Sequence, residues 1–340
     1  MRGRWNELSI LIVTWNGDEM LLQCLESLVK VGGQSAEVVV VDNAASPATG
    51  RLVSQFANCK YVKAERNLGF SGGNNLGLAH CTRRYVLLLN NDTLVHTDSF
   101  SPLLDYLDRN PQVGVVQGTL VLGRDGGRLD SCGMMLSPLG GLYLRHWLES
   151  AESCELSASP VFSAKGAMLA FARSLPSEIP GGLFHGHFFN NYEEVDFCHR
   201  VWLSGREVHF VPTPPVNHLY NATIRRLPSG EVRARELSNS LFSLHSLLGF
   251  YGKARLLPLF YGYRFLMFIR CVCTFNWAAA RVYGVVLGMT WCRRSELARI
   301  REDMRNCRRI SDRELFRRTM IHLPFSYWLK FAKGWLCGKY

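Results

Sequence analysis

Two groups of ionisable residues, far apart in the sequence, are the side chains best suited to chemistry. Asp92 follows the apolar run Tyr85–Leu89, where a carboxylate must be either solvated or ligated. An oxygen ligand at a strand end suits Mg²⁺ or Mn²⁺ bound to a diphosphate, although a turn residue is the alternative interpretation. His218, after a proline-rich stretch, is a second candidate metal ligand, but a lone histidine is more often structural.

The second group comprises three acids within four residues, Glu193, Glu194 and Asp196, at the predicted start of a helix. Acids in the first turn interact favourably with the helix dipole, which accounts for one or two of them. On a helix Glu193 and Asp196 share a face, whereas Glu194 points about 100° away. One of the three is therefore expected to act as a general base, and the choice among them stays open.

The elements that must position these acids read as a doubly wound α/β sheet. Short apolar runs bounded by turn formers predict buried parallel strands, and amphipathic segments between them predict helices. Ligands of such sheets bind outside the carboxyl ends of the strands. Thr14, Asp42 and Asp92 all follow a predicted strand, at Leu8–Val13, Glu37–Val41 and Tyr85–Leu89. Asp42 suits either a ribose hydroxyl or base N–H, or the cap of a helix.

A glycine-rich run, Asn67–Asn75, lies between the second and third of these strands. Its backbone N–H groups are expected either to approach a phosphate or sugar, or to form a loop that caps the next helix. It is not a G-x-G-x-x-G sequence and does not follow the first strand, which disfavours a dinucleotide site. Beyond it the sequence predicts strands from 111 to 172, helices from 237 to 291 and one charged helix over Glu296–Arg318.

The charge of the chain is concentrated at one end. Of the 340 residues, 47% are hydrophobic, which excludes global disorder, and the formal net charge is +11. Residues 253–340 carry 18 basic and 5 acidic side chains, so the whole excess lies in the last quarter. A nucleic-acid enzyme would more often spread positive charge around its cleft, so we expect a polyanionic surface as the partner and no nucleic acid.

The C-terminal quarter is also apolar and aromatic. Arg264, Arg270 and Arg281 interrupt the run 256–291, so an amphipathic helix lying in the membrane interface is the preferred interpretation. A true span, a soluble helical subdomain and an oligomer interface are the alternatives. The tail Phe325–Trp335 mixes aromatics with lysines as interfacial anchors do. The run Leu8–Val13 is too short for a signal-peptide core, so we expect a catalytic part that is not exported.

The 11 cysteines form no C-x-x-C pair, which predicts reduced thiols in the cytoplasm.

Six motifs in one order carry a family resemblance: Ile-Val-Thr-Trp-Asn (12–16), Val-Val-Asp-Asn-Ala-Ala-Ser (40–46), Asn-Leu-Gly-Phe-Ser-Gly-Gly-Asn-Asn-Leu-Gly (67–77), Leu-Leu-Leu-Asn-Asn-Asp-Thr (87–93), Tyr-Glu-Glu-Val-Asp-Phe-Cys (192–198) and Val-Asn-His (216–218). Together they resemble the inverting glycosyltransferases of family 2, especially the rhamnosyltransferase-like branch. The resemblance covers about residues 8–220. It implies the GT-A fold, a Rossmann-like, mostly parallel sheet with flanking helices and a nucleotide-diphosphate sugar across the strand ends.

The resemblance also implies roles for individual residues. Asp92 and His218 would hold Mg²⁺ or Mn²⁺, and Asn90 stands where the family has the first acid of its Asp-x-Asp motif. Glu194 matches the usual base, although the family more often has Asp there, so Glu193 or Asp196 remains an alternative. The nucleotide-sugar side would be formed by Thr14, Asn16, Asp42, Asn43, Asn67, Gly69, Phe70, Asn74 and Asn91.

The sequence thus predicts a GT-A domain over 1–236 and a basic helical membrane-association region over 237–340. The expected enzyme transfers a sugar, by family analogy rhamnose from dTDP-rhamnose, to a lipid-linked or saccharide acceptor, on the inner face of the cell membrane. Two other classes stay open. A nucleotidyltransferase usually has a glycine-rich, Lys/Arg-containing loop after the first strand, which Thr14-Trp-Asn-Gly17 lacks. A non-catalytic carbohydrate-binding scaffold would keep the fold and lose the acids.

Overall fold

A computed structural model describes residues 3–124, 127–219 and 229–321 of the chain. The strands are β1 (Leu8–Thr14), β2 (Glu37–Asp42), β3 (Cys59–Lys63), β4 (Tyr85–Leu89), β5 (Thr93–Val95), β6 (Val113–Gln117), β7 (Leu120–Leu122), β8 (Leu129–Ser131), β9 (Met134–Leu136), β10 (Leu142–Leu144), β11 (Ser159–Pro160), β12 (Met168–Ala172), β13 (Glu207–Phe210) and β14 (Val216–His218). The helices are α1 (Asp18–Lys30), α2 (Pro47–Val53), α3 (Gly69–Leu78), α4 (Ser101–Arg109), α5 (Leu175–Glu178), α6 (Glu193–Leu203), α7 (Ser229–Leu247), α8 (Phe250–Cys273), α9 (Trp277–Cys292), α10 (Arg294–Cys307) and α11 (Asp312–Thr319).

The main sheet has eight strands in the order β11-β13-β6-β12-β4-β1-β2-β3. Strands β4, β1, β2 and β3 run parallel to one another, as do β6 and β13. Strand β12 runs antiparallel between β4 and β6, and β11 is antiparallel to β13. A second sheet, β5-β14-β7-β8, stands beside the carboxyl end of β4. The expected mostly parallel α/β sheet is confirmed, with one reversed strand at its centre.

Alternate residues of each central strand face opposite sides of the sheet and enter two cores. Ile10 and Ile12 of β1 pack with α1 and α4, whereas Leu11 packs on the opposite side. That opposite core also contains Phe197 of α6 and Phe242 of α7. Because both faces of the sheet are covered, its strands are continuously apolar, which is why the sequence predicts them so clearly.

The glycine-rich run is a correction to the sequence analysis, because most of it is helix α3 and not a loop. Gly77 lies against the side chains of Leu11 and Val41, so a Cβ at that position would collide with the sheet. Gly69, at the start of the helix, has φ of 70° and lies against the carbonyl of Phe189. The glycines therefore let the helix approach β1 and β2 closely, at the expense of helix propensity.

The C-terminal helices differ from the expectation in one further respect. The predicted helix Glu296–Arg318 is two helices, α10 and α11, separated by residues 308–311. Within the described residues, Phe250–Cys273 is the one helix long and apolar enough to cross a membrane by length and composition. The predicted domain boundary at 236/237 falls inside α7, and it stays a prediction. Most of the aromatic-basic tail falls outside the described residues, as does all of Phe325–Trp335.

Candidate active site

At the carboxyl end of β4, acidic and basic side chains alternate in a row in which each contacts the next. His218, the last residue of β14, has Nε2 3.4 Å from Asp92 Oδ1, and its Nδ1 is 2.7 Å from Asp130 Oδ2. The Nζ of Lys165 donates to both oxygens of Asp130, at 2.6 and 2.7 Å. All of these residues except Lys165 are buried. The two predicted metal-ligating residues are thus neighbours in space, although 126 positions apart.

Asp92 has an oxygen suited to a cation. Its Oδ1 is buried and has no hydrogen-bond partner of good geometry within the described part of the chain. A buried carboxylate oxygen without a partner is unfavourable unless a ligand completes it. Carboxylate oxygen with imidazole nitrogen is a donor set that divalent cations accept. The residues present therefore fit the divalent cation that the resemblance implies.

Contacts within this cluster favour the charged forms of His218 and Asp130. Burial lowers the pKa of His218, but the hydrogen bond to Asp130 and the nearby carboxylate of Asp92 outweigh it and raise the pKa above its usual value. Burial raises the pKa of Asp130, but His218 and Lys165 more than compensate and lower it. Asp130 therefore stays ionised and orients the imidazole, as a carboxylate behind a metal-ligating histidine does.

Amide side chains connect the ends of the neighbouring strands. Asn91 Nδ2 donates to the hydroxyl of Thr14 at 3.0 Å. Asn43 Nδ2 donates to the carbonyl of Gly69 at 2.8 Å and so joins β2 to α3. The carboxylate of Asp42 accepts from the N–H groups of residues 44 and 46 and from a tyrosine hydroxyl at position 61. The turn interpretation of Asp42 describes these contacts, and its role toward a nucleoside stays a prediction.

The remaining residues predicted for the donor side lie on or beside α3, apart from Asn16. Asn67 lies just before the helix, and its side-chain oxygen accepts from the N–H of Gly69 at 2.9 Å. Asn74 donates to the carbonyl of Phe70 within the helix. Asn16, between β1 and α1, has a positive φ of 51°. The structure thus places α3 against the ends of β1 and β2, and the role of these residues toward a donor stays a prediction.

Helix α6 holds its three acids in different environments. Asp196 is fully buried and pairs with Arg200 one turn later, Oδ2 to Nε at 2.8 Å. Burial raises the pKa of Asp196, but Arg200 and His185 outweigh it and lower the pKa overall. The guanidinium also donates to the carbonyls of residues 180, 182 and 183. Asp196 therefore has the contacts of a structural residue that anchors a loop, and these contacts do not favour it as the base.

Glu193 and Glu194 have raised pKa values. Glu193 is 2% exposed, its Oε2 has no hydrogen-bond partner within the described residues, and burial followed by Glu194 raises its pKa. Burial raises the pKa of Glu194, because backbone hydrogen bonds and Lys165 only partly compensate. Glu194 is half-buried, with Oε1 accepting from the N–H of Gly166 at 3.4 Å. A partly accessible carboxylate with a raised pKa is suited to accept a proton.

Three consecutive residues, 165–167, touch both groups of ionisable residues. Lys165 binds Asp130, Gly166 donates to Glu194, and the carbonyl of Ala167 accepts from the N–H of Asn90 at 3.0 Å. Gly166 also lies against the ring of Phe70, so that a side chain there would contact both this ring and the Glu194 carboxyl. This segment, which we call the bridging segment, brings the strand-end cluster and the helix acids to one cleft.

Helix α7 holds the loop that leads into α6. The Nδ2 of Asn239 donates to the carbonyls of Asn190 and Asn191, at 3.2 and 2.7 Å. Arg235 donates to the side-chain oxygen of Asn190 at 2.5 Å. Asn191 and Tyr192 both have positive φ, 66° and 80°, so the loop needs such external bonds. The start of the acid-bearing helix is thus fixed by a helix that follows it in sequence.

Sequence reasoning missed Asp130, Lys165 and Asn239. Asp130 stands between Leu129 and Ser131 in a short strand, and a charge in such a strand was the available signal. Lys165 precedes the apolar strand β12 and gave no signal of its own, because its partner lies 35 positions earlier. Asn239 lies in a helix whose pattern indicates only amphipathic packing.

Comparison with known proteins gives similarities to glycosyltransferases. The model for Glycosyl transferase family 2 matches residues 9–151. Two curated relatives are similar to parts of the chain. The Low-salt glycan biosynthesis hexosyltransferase Agl10 of Haloferax volcanii is 28% identical over 58% of this chain and 62% of its own length. The Amylovoran biosynthesis glycosyltransferase AmsE of Erwinia amylovora is 32% identical over 34% and 45% respectively. The chain thus spans less than two thirds of either relative.

Solved structures show the same fold at low sequence identity. GalNAc-T7 with UDP, GalNAc and Mn²⁺ has a TM-score of 0.62 at 17% identity, over 91% of this chain and 56% of its own. The mannosyltransferase PcManGT from Pyrobaculum calidifontis, with GDP-Man and Mn²⁺, has a TM-score of 0.50 at 16% identity, over 84% and 75%. The fold is therefore GT-A-like, and residues 9–151, less than half of the chain, are similar to glycosyl transferase family 2.

Proposed function

We propose that this protein is an inverting glycosyltransferase that moves a sugar from a nucleotide-diphosphate donor to a lipid-linked or saccharide acceptor in surface polysaccharide synthesis. The observation that carries the proposal is the bridging segment. Within three residues it contacts the strand-end cluster of Asp92, His218 and Asp130 on one side and Glu194 on the other. A donor held at the strand ends would thus lie next to a carboxylate able to accept the acceptor's proton.

Asp92 and His218 would hold the divalent cation, Mg²⁺ or Mn²⁺, with Asp130 orienting the imidazole. When bound, such an ion neutralises the negative charge that grows on a departing diphosphate. The structures of GalNAc-T7 and PcManGT contain Mn²⁺, which supports a divalent ion here. Thr14, Asn43 and Asn91, joined by hydrogen bonds to the ends of β1, β2 and β4, would line the nucleoside side of the cleft.

The chemical step follows from the position of Glu194. Its carboxylate accepts the proton of the acceptor hydroxyl while that oxygen forms a bond to the anomeric carbon. The bond from this carbon to the diphosphate oxygen breaks on the opposite face, and its electron pair leaves with the nucleoside diphosphate. One base is sufficient, because the diphosphate needs no proton to depart. The raised pKa of Glu194 makes its carboxylate a stronger proton acceptor in this step.

The donor is tested by measuring nucleoside diphosphate release from a panel of nucleotide sugars. We expect dTDP-rhamnose to be turned over, which rests on the resemblance to the rhamnosyltransferase-like branch. Release from a uridine-linked hexose, and none from dTDP-rhamnose, would overturn that donor while keeping the reaction class. No release from any member, with pyrophosphate formed from a nucleoside triphosphate and a sugar phosphate, would identify a nucleotidyltransferase. Sugar binding without any turnover would instead identify a scaffold.

We also propose that the protein lies on the inner face of the cell membrane through its C-terminal helices. Residues 253–340 carry 18 basic and 5 acidic side chains, and anionic lipid attracts such a segment. Large apolar side chains on α8, on α9 and in the turn between them are exposed, among them Phe265, Leu266, Phe275, Trp277 and Val285. A lipid-linked acceptor cannot leave the bilayer, so an enzyme confined to the same surface meets it at a higher effective concentration.

Sedimentation of the full-length protein with vesicles tests this location. We expect binding to vesicles containing anionic lipid at low salt, and weaker binding to neutral ones. The double variant Phe265→Ser/Leu266→Ser should bind less, whereas Trp147→Ser, an exposed aromatic outside these helices, should bind normally. Loss of binding in high salt indicates electrostatic attachment, and retention indicates inserted helices. If wild-type protein does not bind anionic vesicles at low salt, the proposed membrane location is contradicted.

A further inference from the structure

A cluster of three metal-ligating side chains lies outside the candidate active site, on the loop between β10 and β11. His146 Nδ1 is 2.8 Å from Glu149 Oε2, and Cys154 Sγ lies 3.3 Å from the former atom and 3.5 Å from the latter. All three ligand atoms lie within 4.8 Å of one another. The cluster shares no residue with the candidate active site.

The chemistry of the three atoms selects the metal. Sulfur, nitrogen and oxygen donors together are the ligands of Zn²⁺, whereas Mg²⁺ and Ca²⁺ prefer oxygen alone. With bonds of about 2.0–2.3 Å and tetrahedral geometry, the ligand atoms of a zinc ion are about 3.3–3.7 Å apart. Both sulfur distances lie in this range. The shorter Nδ1–Oε2 distance is that of a hydrogen bond, which opens slightly when the ion replaces the shared proton.

The backbone holds this loop in position. Leu148 and Glu149 form backbone hydrogen bonds with Leu129, both at 2.9 Å, and the N–H of Cys154 donates to the carbonyl of Ser150 at 3.2 Å. The loop is therefore attached to β8, the strand that carries Asp130. Ligands on a backbone that is already ordered lose little entropy when they bind an ion.

We propose that His146, Glu149 and Cys154 form a zinc-binding site, with water as the remaining ligand. Zinc binding releases the thiol proton of Cys154 to solvent and ties the loop to β8. The ion thereby stabilises the strand whose Asp130 orients His218, and it has no part in sugar transfer itself. The site does not depend on the proposed function, because it rests on a separate set of residues.

The test uses the full-length protein, stripped of metal with a chelator and kept reduced. Co²⁺ replaces Zn²⁺ and gives an intense near-ultraviolet charge-transfer band only when a thiolate is a ligand. We expect this band in the wild type, its loss on addition of Zn²⁺, and its absence in Cys154→Ala. Asp92→Ala should keep the band, because the strand-end cluster contains no cysteine. Cys273→Ala, which removes an exposed thiol elsewhere, should also keep it.

A second variant covers the case in which Cys154→Ala fails to fold. Glu149 has a side chain 52% exposed, so Glu149→Gln should fold normally and bind Zn²⁺ at least tenfold more weakly. Zn²⁺ should also raise the melting temperature of the wild type more than that of Glu149→Gln. The proposal is overturned if wild-type protein gives no thiolate–Co²⁺ band, or if the band survives in Cys154→Ala. Equal zinc affinity of Glu149→Gln and wild type would remove Glu149 from the site.

Discussion

The two groups of ionisable residues on either side of the cleft are built on opposite electrostatic principles. In the strand-end cluster, Asp130 lies between two cationic partners, and His218 lies between two carboxylates. On α6, Asp196 is the one acid of the three with an ion-pair partner among the described residues. Burial raises the pKa of both Glu193 and Glu194, and the neighbouring Glu194 adds to this effect on Glu193. Compensated charge suits a group that must stay ionised to hold a cation. Uncompensated charge suits a group that must take up a proton.

The largest expected effect follows from a substitution in the strand-end cluster, where opposite charges compensate one another. Asp92→Ala removes the buried carboxylate that would hold the divalent cation. We expect transfer to fall about 10³-fold or more, with weaker binding of nucleoside diphosphate. Turnover and nucleotide affinity, measured with and without added Mn²⁺, check this. Full activity of the wild type in excess chelator would contradict a metal-dependent reaction.

The next largest effect is expected from Glu194 of α6, which has no ion-pair partner among the described residues. Glu194→Gln should lower turnover about 10²-fold or more while leaving donor affinity nearly unchanged, because the donor is held elsewhere. A base must be ionised, so wild-type kcat/KM should fall with decreasing pH through a pKa above that of an ordinary glutamate, owing to burial. A kinetic pH profile of wild type and variant measures both, and the variant should lack this acid limb.

The variant Asp196→Asn tests whether Asp196 or Glu194 is the base. The variant leaves the buried guanidinium of Arg200 without its anion, which costs about 3–5 kcal/mol of folding free energy. We therefore expect a lower melting temperature as its main effect. A folded Asp196→Asn that binds donor but is inactive, beside a Glu194→Gln of near wild-type activity, would show that the base is misassigned.

A smaller effect is expected from the helix that fixes the entrance to α6. Asn239→Ala deletes both hydrogen bonds to the carbonyls of residues 190 and 191, so the acid-bearing helix begins less rigidly. We expect kcat to fall about tenfold, with KM for the donor unchanged, since a small misplacement of a reacting group is costly. Ser240→Ala is the control, because its hydroxyl bonds only within α7. Equal losses in the two variants would mean a general effect on folding.

The smallest effect has the opposite sign. Burial raises the pKa of Glu193 in the folded protein, so its ionisation at neutral pH opposes folding. Glu193→Gln should therefore raise the melting temperature by about 2 °C at neutral pH, the shift that roughly 1 kcal/mol produces in a large domain. The difference should vanish at a pH low enough to protonate Glu193 in both states. Calorimetry at the two pH values checks this, and a stabilisation that persists in acid would argue against an ionised Glu193.

The sequence predicted the strands well and one helix badly, for related physical reasons. Strands β1, β2 and β4 are buried on both faces, so their apolar runs are continuous and easily recognised. Helix α3 contains glycines that lower its intrinsic propensity, and only its close packing against Leu11 and Val41 makes it a helix. Local patterns report burial, whereas they do not report which neighbour a residue will meet.

The same distinction applies to the site. Asp92, His218 and the acids of α6 could be proposed from the sequence, because the ends of strands and the starts of helices are recognisable from local sequence patterns. Which acid is paired could not, because Asp196 and Glu193 differ only in the partner that the fold brings to them. Asp130 and Lys165, 35 positions apart, meet only after two sheets are assembled.

The reversed direction of β12 has a consequence for how this cleft can change. Because β12 is antiparallel to β4, its first residues, and not its last, reach the edge where the neighbouring strands end. The bridging segment is therefore an entry into a strand, with its register fixed by Met168 opposite Leu89. A one-residue insertion there would move the contacts to Asp130 and to Glu194 together. Under the proposed function, a change of acceptor is therefore expected from loops that touch one of the two groups of ionisable residues alone.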